Sequence, residues 1–131
     1  GLANARGACE ENIERLAESL KRIERDIQAR QAADTYGGKT PQETLRLYIE
    51  AVERGDYELA SRYFVSERQE RELSSLQSSP VGNVNNILRL LKEDLRSEGS
   101  YSSQHDKYVI DRPLLVDFIL YPSGVWKILE I

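Results

Sequence analysis

Residues 39–64 read KTPQETLRLYIEAVERGDYELASRYF, and this run has the start and stop signals of two consecutive helices. Residues 40–43 combine a threonine N-cap candidate, a proline at the first helical position and a capping-box glutamate. Gly55 can adopt the left-handed conformation that ends a helix, and Asp56 is a cap for the next one. The run therefore predicts a helix, a break and a second helix, whose apolar sides are formed by Leu45, Tyr48, Ile49 and Val52 and by Leu59, Ala60, Tyr63 and Phe64.

Two further helices are predicted between this run and residue 99. Ser66 and Gln69 form a second capping-box match, which opens a strongly charged surface helix. Asn83 is the N-cap candidate of the next helix, and Gly99 is expected to end it. The period of 3.6 residues in that helix is given by Val84, Ile87, Leu88, Leu91 and Leu95.

The C-terminal third changes to a period of two residues, which is typical of strands. We predict three strands, over residues 101–110, 114–121 and 125–131, with a tight turn at 122–124. Residues 114–121 are apolar on nearly both faces, so this strand is expected to be central. Helices would cover one of its faces, and the N-terminal helix or another subunit would cover the other.

The N-terminal segment predicts an amphipathic helix from Glu10. Its apolar residues are spaced three and four apart, at Ile13, Leu16, Leu20, Ile23 and Ile27. A coiled-coil seam has this spacing, but the run is shorter than three heptads, and the flanking Ala17 and Ser19 are uncharged. The pattern therefore favours a helix that docks on its own domain or on a copy of it, and we expect the stripe to be packed within the chain.

Composition restricts the class of protein. The 131 residues predict one globular domain over 39–131, preceded by an amphipathic helix and linker over 1–38. The net charge of −4 argues against nucleic acid as a partner. The chain contains no run of about 20 apolar residues, so no membrane span is predicted. Cys9 is the only cysteine, which excludes an internal disulfide. The chain has no methionine, and we read it as a processed or truncated piece.

Residues 39–64 and the C-terminal Gly124-Val125-Trp126-Lys127-Ile128 resemble the NTF2-like (cystatin/ketosteroid-isomerase-like) superfamily. The likeness is greatest to small bacterial members that lie outside the membrane behind a signal or anchor, and it covers residues 39–131. It implies an α+β fold in which a curved antiparallel sheet wraps around helices as a cone with a pocket. It also implies dimerisation through the sheet. Three predicted strands are fewer than a full cone needs, which leaves the depth of the pocket open.

Few residues are candidates for chemistry. The resemblance implies that an enzyme of this fold would place an Asp or His base and a Tyr or Asp acid inside the cone. His105 is the only histidine, and its polar, turn-like surroundings predict an exposed loop residue. Asp117 lies among apolar strand residues, so it is either a pocket base with a raised pKa, a partner of Lys127, or part of a solvated face. Tyrosines that could line a cavity, or belong to the core, are Tyr48, Tyr63 and Tyr121.

We therefore predict no catalytic, cofactor-binding or metal-ligating residues and no cofactor. The predicted function is a non-catalytic binding or protein-interaction domain of a secreted or membrane-anchored bacterial protein, located outside the cytoplasm. The alternative is a small-ligand binder or an isomerase/dehydratase-type enzyme that uses a pocket Asp, Asp117, with a tyrosine. The predicted partners are a second copy of the chain, through the sheet or the N-terminal helix, and an unidentified protein or small ligand.

Overall fold

The computed structural model describes the backbone of residues 2–131 and the side chains of residues 7–131. The described chain is an α+β protein with five helices followed by a four-stranded antiparallel sheet, which confirms the predicted class. The helices are α1 (Leu2–Ala33), α2 (Pro41–Glu53), α3 (Tyr57–Arg62), α4 (Ser66–Ser78) and α5 (Val81–Asp94). The strands are β1 (Ser100–Tyr101), β2 (Lys107–Ile110), β3 (Val116–Leu120) and β4 (Trp126–Glu130).

The local signals of α2 and α3 have the predicted roles. The Thr40 hydroxyl accepts a hydrogen bond of 3.1 Å from the backbone N–H of Glu43, and Pro41 is the first residue of α2. Gly55 has a φ of +76°, so only a residue without a Cβ adopts this helix end at little cost. The Asp56 carboxylate then accepts from the N–H of Leu59 at 3.2 Å and caps α3.

Two other helix starts differ from the predictions. The N-cap of α4 is Val65 rather than Ser66, because the N–H of Val65 is bonded to β4 and its carbonyl already accepts the first helical bond. Gln69, the second half of the predicted capping box, instead donates to the carbonyl of Phe64 at 3.0 Å. Helix α5 begins at Val81, before the predicted cap Asn83, because the carbonyl of Pro80 accepts from the N–H of Asn83 and Val84.

The sheet is a simple meander in the order β1-β2-β3-β4, and it is not closed. The prediction of one strand over residues 101–110 is wrong, since these residues form the β1–β2 hairpin with a turn around His105. Gly99 does not end α5, which stops at Asp94; it approaches the sheet so closely that a Cβ would lie 2.3 Å from the carbonyl oxygen of Val109. The N–H of Gly99 donates to the hydroxyl of Tyr108 at 2.8 Å.

The core lies between one face of the sheet and the helices. Strand β3 is central, as predicted, because β2 and β4 pair with its two edges. The sheet contributes Tyr108, Ile110, Val116, Phe118, Trp126 and Ile128, and α2 and α5 contribute Leu45, Tyr48, Ile49, Val52, Val84, Leu88 and Leu91. Each such side chain, when fully buried, stabilises the fold by about 1.5–3 kcal/mol before entropy is counted. The opposite face has a smaller cluster of Val65, Tyr121 and Val125, which Ile119 and Leu129 partly cover.

The outer edge of β4 is occupied by the chain itself. Trp126 donates its N–H to the carbonyl of Gly38 at 2.9 Å, and its carbonyl accepts from the buried Thr44 hydroxyl at 2.9 Å. Ile128 donates to the carbonyl of Tyr63 at 2.8 Å and accepts from the N–H of Val65 at 2.9 Å. The linker after α1 and the segment after α3 therefore complete the backbone hydrogen bonds of this strand.

Helix α1 does not bury its apolar stripe within the chain, which corrects the expectation of intramolecular packing. Ile13, Leu16, Leu20 and Ile23 are between 52 and 65% exposed, and only Ile27, near the end of the helix, is half-buried. The helix spans 32 residues, or about 48 Å at 1.5 Å per residue, and it begins at Leu2 rather than at Glu10. Most of its length thus lies away from the core.

Candidate functional site

The exposed side of α1 is the first candidate site, and its four exposed residues Ile13, Leu16, Leu20 and Ile23 are called the α1 stripe below. The spacing of three, four and three residues places them on one side of the helix. The other exposed large apolar residues of the described chain form no stripe along one helix. They are Tyr36, Val81, Ile87, Tyr101, Leu115, Leu120 and Ile131, of which Ile87 and Ile131 line one cavity. Scattered apolar residues are normal on a protein surface, whereas a continuous apolar stripe indicates a contact surface.

The base of α1 is fixed to the sheet by a buried ion pair. The side chain of Lys127 is fully buried, and its Nζ lies 3.0 Å from a carboxylate oxygen of Asp34, just after α1. The ammonium also donates to the carbonyl oxygens of Tyr36, at 2.8 Å, and of Arg62. Burial lowers the pKa of Lys127, and the hydrogen bond and charge of Asp34 oppose this shift. Three oxygen acceptors for three N–H groups make the buried charge tolerable.

A contact between Tyr36 and Arg62 strengthens the same junction. The Arg62 guanidinium donates to the Tyr36 hydroxyl at 2.8 Å and lies 5.0 Å from the centre of the Tyr36 ring. The end of α1 is therefore held by side chains of the domain, although the stripe itself is not. This arrangement presents the stripe to solvent from an anchored base.

A wide groove with a volume of about 590 Å³ lies between α2, α3 and α5. Its apolar floor includes Val52 and Leu88, and exposed cations at its rim are Arg54, Arg89 and Lys92. Lys92 lies 3.3 Å from the Glu53 carboxylate, in a pair that is about half exposed and contributes little stability. The volume is in the range of small-ligand sites, but the groove is open and its polar side chains are solvated.

A second, smaller cavity of about 170 Å³ lies on the other side of Val84 and Leu88. Here the Tyr48 hydroxyl donates to a carboxylate oxygen of Glu72 at 2.7 Å. Burial, followed by the charge of Glu72 and the hydrogen bond to it, raises the pKa of Tyr48 well above its usual value. The phenol therefore stays protonated and acts as a hydrogen-bond donor, not as a base. Tyr48 is the one predicted tyrosine that lines this cavity.

The other predicted candidates are not brought together. His105 lies in the exposed β1–β2 turn, as expected, with its ring 5.2 Å from that of Tyr101. Asp117 is half-buried on the sheet face that points away from the helices, and lines neither the groove nor the Tyr48 cavity. Of the three alternatives for Asp117, the pairing with Lys127 is wrong, because Lys127 pairs with Asp34 and the strand partner of Asp117 is Glu130.

Tyr63 and Tyr121 belong to the two apolar clusters rather than to a site. Both rings are buried, Tyr63 in the main core and Tyr121 in the cluster on the opposite sheet face. Burial raises the pKa of each phenol. The hydroxyl of Tyr121 accepts a hydrogen bond of 3.3 Å from the N–H of Ser66. These two tyrosines therefore have structural roles at the start of α4 and in the core.

Asp94 is a buried acid that the sequence did not single out. It is fully buried at the end of α5, where one carboxylate oxygen accepts from the N–H of Leu114 at 3.1 Å and the other has no partner. Burial raises its pKa, which the bond from Leu114 opposes and the charges of Glu93 and Asp111 support. Its position three residues after the apolar Leu91 was the available signal, since that spacing places it on the buried side of α5.

No group of three or more His, Cys, Asp or Glu residues in the described chain is arranged to hold a metal ion. No helix within residues 2–131 combines the length and the apolar character that a membrane crossing requires. No protein-family model, curated protein or solved structure matches the chain.

Proposed function

We propose that the chain is a non-catalytic protein-interaction domain whose contact surface is the α1 stripe. The observation that carries this proposal is the exposure of four aliphatic residues along one side of a helix whose base is fixed to the domain. An interaction surface of this kind combines an anchored element with unburied apolar area. The charged side chains on the rest of α1 keep the remainder of the helix compatible with water.

The energetics favour a protein partner over solvent. Each stripe residue leaves more than half of its side chain in water, so complete burial against a partner would contribute about 1 kcal/mol or more per residue. A helix that lacks tertiary contacts also depends on its own marginal stability. A partner helix or groove would therefore stabilise α1 as well as bury its stripe.

A photo-crosslinking experiment tests the contact surface. We would introduce a benzophenone amino acid at Leu16 in the stripe, or at Glu18 on the other side of α1, in the full chain. The two chains would be irradiated in the cells that produce them. We expect crosslinked protein products at Leu16 and few at Glu18, because only the stripe would lie against a partner. Equal yields at both positions, or none at Leu16, would contradict the proposal.

Membership of residues 39–131 in the NTF2-like superfamily is part of the proposal. The order of a capped helix, a Gly55-Asp56 break, a short helix and an antiparallel meander that ends on the Trp126 strand supports it. The four-stranded sheet is open, whereas the resemblance implies a sheet that wraps around the helices as a cone. An experimental structure with a flat, uncurved sheet would contradict membership. A location outside the cytoplasm, behind a signal or anchor, depends on the resemblance alone and stays a prediction, as does dimerisation through the sheet.

A small-ligand binder of the isomerase or dehydratase type is the second candidate function. The observation that favours it is the Tyr48–Glu72 hydrogen bond at the wall of the 170 Å³ cavity. Asp117, the acid first considered for this role, does not reach that cavity. A cavity of this volume is smaller than typical small-molecule sites, which start at about 300 Å³.

The test for this candidate is a screen of small polar compounds by NMR against the wild-type chain and Tyr48→Phe. Ligand binding in the cavity predicts shifts of the amide signals of Ser75 and Leu76. It also predicts weaker binding by the variant, because the hydroxyl that holds Glu72 and can accept a hydrogen bond from the ligand is lost. Leu47→Ala on the same helix, outside the residues that line the cavity, is the control. Shifts that are confined to other parts of the chain would reject the cavity as a ligand site.

A further inference from the structure

We propose that a second copy of this chain covers the α1 stripe, with the two α1 helices parallel and in register. This inference depends on the proposed function, because it names the partner of the same contact surface. The observations that support it are the heptad spacing, the placement of the helix relative to its own domain, and the charges beside the stripe.

The spacing of the α1 stripe, together with Ile27 after it, matches the core positions of a two-stranded coiled coil. Ile13, Leu16, Leu20, Ile23 and Ile27 alternate steps of three and four residues, which are the a and d positions of consecutive heptads. Cys9, four residues before Ile13 and exposed, continues the same line at a d position. A parallel pair in register would therefore have six like-with-like layers, from the Cys9 layer to the Ile27 layer.

The domain of the same chain does not compete for the stripe. Lys127 and its three acceptors fix the linker directly after α1, so the domain lies at the C-terminal end of the helix. Ile27 is only partly buried there, beside Ser66 and Glu67, so part of its side chain is left for the last layer, whereas Ile13, Leu16, Leu20 and Ile23 extend beyond the domain. The next d position is Arg30, which lines the same junction as Glu67, so the seam ends at Ile27. A partner must therefore come from another chain.

The charges beside the stripe favour the parallel arrangement. An antiparallel pair that keeps all six layers would place Leu16 opposite Leu20 of the copy. The same alignment sets the flanking Glu10 against Glu24 of the copy, twice in the pair, and like charges across an interface are unfavourable. This repulsion is absent from the parallel alignment.

The parallel alignment pairs flanking positions that are five residues apart. It sets Ser19 against Glu24 and Asp26 against Gln31 of the copy, and neither pair combines two like charges. These pairs are also not ion pairs, so the flanks choose the orientation by avoiding repulsion and add little affinity. Because the layers span fewer than three heptads, we expect weak, reversible association at micromolar concentrations of chain.

The first test is the solution mass of the full chain, measured by sedimentation equilibrium across micromolar concentrations. We expect the mass to rise with concentration from 15.0 kDa towards twice that value. Leu20→Glu should stay at the monomer mass, because it places two like charges in one of the two central layers of the pair. Lys21→Glu, the adjacent change on the other side of α1, should associate like the wild type. The fluorescence of Trp126, the only tryptophan, reports whether each domain is folded.

The second test determines the orientation by thiol crosslinking. Diamide takes up the two hydrogens of two thiols as the disulfide forms, so it traps cysteines that face each other. We expect the wild type to give Cys9–Cys9 dimers, and a Cys9→Ser/Ile27→Cys chain to give dimers of its own. Leu20→Glu provides the background of random collisions and should give few dimers.

The outcomes separate this inference from the proposed function. Crosslinks that form only when the wild-type and Cys9→Ser/Ile27→Cys chains are mixed would show an antiparallel pair and overturn the inference, while the stripe remains a contact surface. A monomer at every concentration, with photo-crosslinks from Leu16 to a different protein, would overturn the inference in the same way. Masses that Leu20→Glu does not change, together with no stripe-specific photo-crosslinks, would overturn both.

Discussion

Lys127 shows how a single charged residue can determine where an element leaves the domain. Its ammonium group is fully buried between the sheet and residues 34–36, where it has one carboxylate and two carbonyl acceptors. Removing a buried charge leaves its partner charged and without compensation, which costs more than the pair contributes. Asp34 and two carbonyl groups would be left in that state if the ammonium were absent.

The Lys127→Met substitution tests this role. We expect it to lower the free energy of unfolding by about 3–5 kcal/mol, because the side-chain volume is kept but the partners of the ammonium are left unpaired. Urea unfolding followed by Trp126 fluorescence measures the change. Lys107→Met, an exposed lysine on β2, is the control and should change stability by less than about 0.5 kcal/mol. Equal stability of the two variants would mean that the buried ion pair has no role.

Asp94 predicts a dependence of stability on pH. Burial raises its pKa in the folded protein, so the folded state binds this proton more tightly than the unfolded state does. The resulting stabilisation is complete below the unfolded pKa of about 3.9 and is lost as the pH rises through the folded value. Ionisation of the buried Asp94 carboxyl as the pH rises therefore lowers the stability of the folded protein.

Asp94→Asn removes the ionisation while it keeps an oxygen for the N–H of Leu114. We expect the variant to gain stability relative to the wild type as the pH increases from the acid range to neutrality. Urea unfolding across that pH range checks the difference, and Glu98→Gln, which neutralises an exposed carboxylate nearby, is the control. A difference between Asp94→Asn and the wild type that is constant with pH would contradict the raised pKa.

At the level of the elements, α2 is defined by its cap. Thr40→Ala removes the hydroxyl that accepts from the N–H of Glu43, and we expect a loss of about 1 kcal/mol. Thr35→Ala in the exposed linker removes a hydroxyl that makes no side-chain hydrogen bond in the structure, so it should be nearly neutral. Thermal unfolding by circular dichroism compares the two. A Thr40→Ala protein as stable as Thr35→Ala would show that the cap is dispensable.

The elements that could be predicted are those whose signals are local. Thr40, Gly55 and Asp56 act on backbone groups within a few residues of themselves, so the sequence was sufficient to place α2 and α3. The β1–β2 turn was missed because it has neither glycine nor proline. It is built by hydrogen bonds of the Ser102 hydroxyl to Asp106 and Lys107, with His105 at a φ of +57°.

The candidate site was predictable in its spacing but not in its environment. The period of the α1 stripe follows from the sequence, whereas its exposure depends on where the linker directs the helix. The partners of Lys127 lie 65 and more positions away along the chain, so no local pattern indicates them. The alternation of β4 does place Lys127 on the face opposite to Trp126 and Ile128, which was the one available signal.

For the whole molecule, the main consequence is an extended shape. A compact globular protein of 131 residues would have a radius of gyration of about 14 Å, and α1 alone is about 48 Å long. We expect X-ray scattering of the Leu20→Glu chain, in which pairing is blocked, to give a radius well above 14 Å. Lys21→Glu is measured at the same low concentration as the control. A value near 14 Å for Leu20→Glu would show that α1 folds back onto its domain.

The occupied border of β4 also limits how the folded protein can aggregate. Amyloid-like growth by β-augmentation needs an edge strand whose main-chain donors and acceptors are free. In β4 the outward main-chain groups of Trp126 and Ile128 are already hydrogen-bonded, to Gly38, Thr44, Tyr63 and Val65. The opposite border of the sheet is β1, which has only two residues and offers a short template. Intermolecular β-pairing along the β4 border should therefore require prior detachment of both the segment around Gly38 and the segment from Tyr63 to Val65.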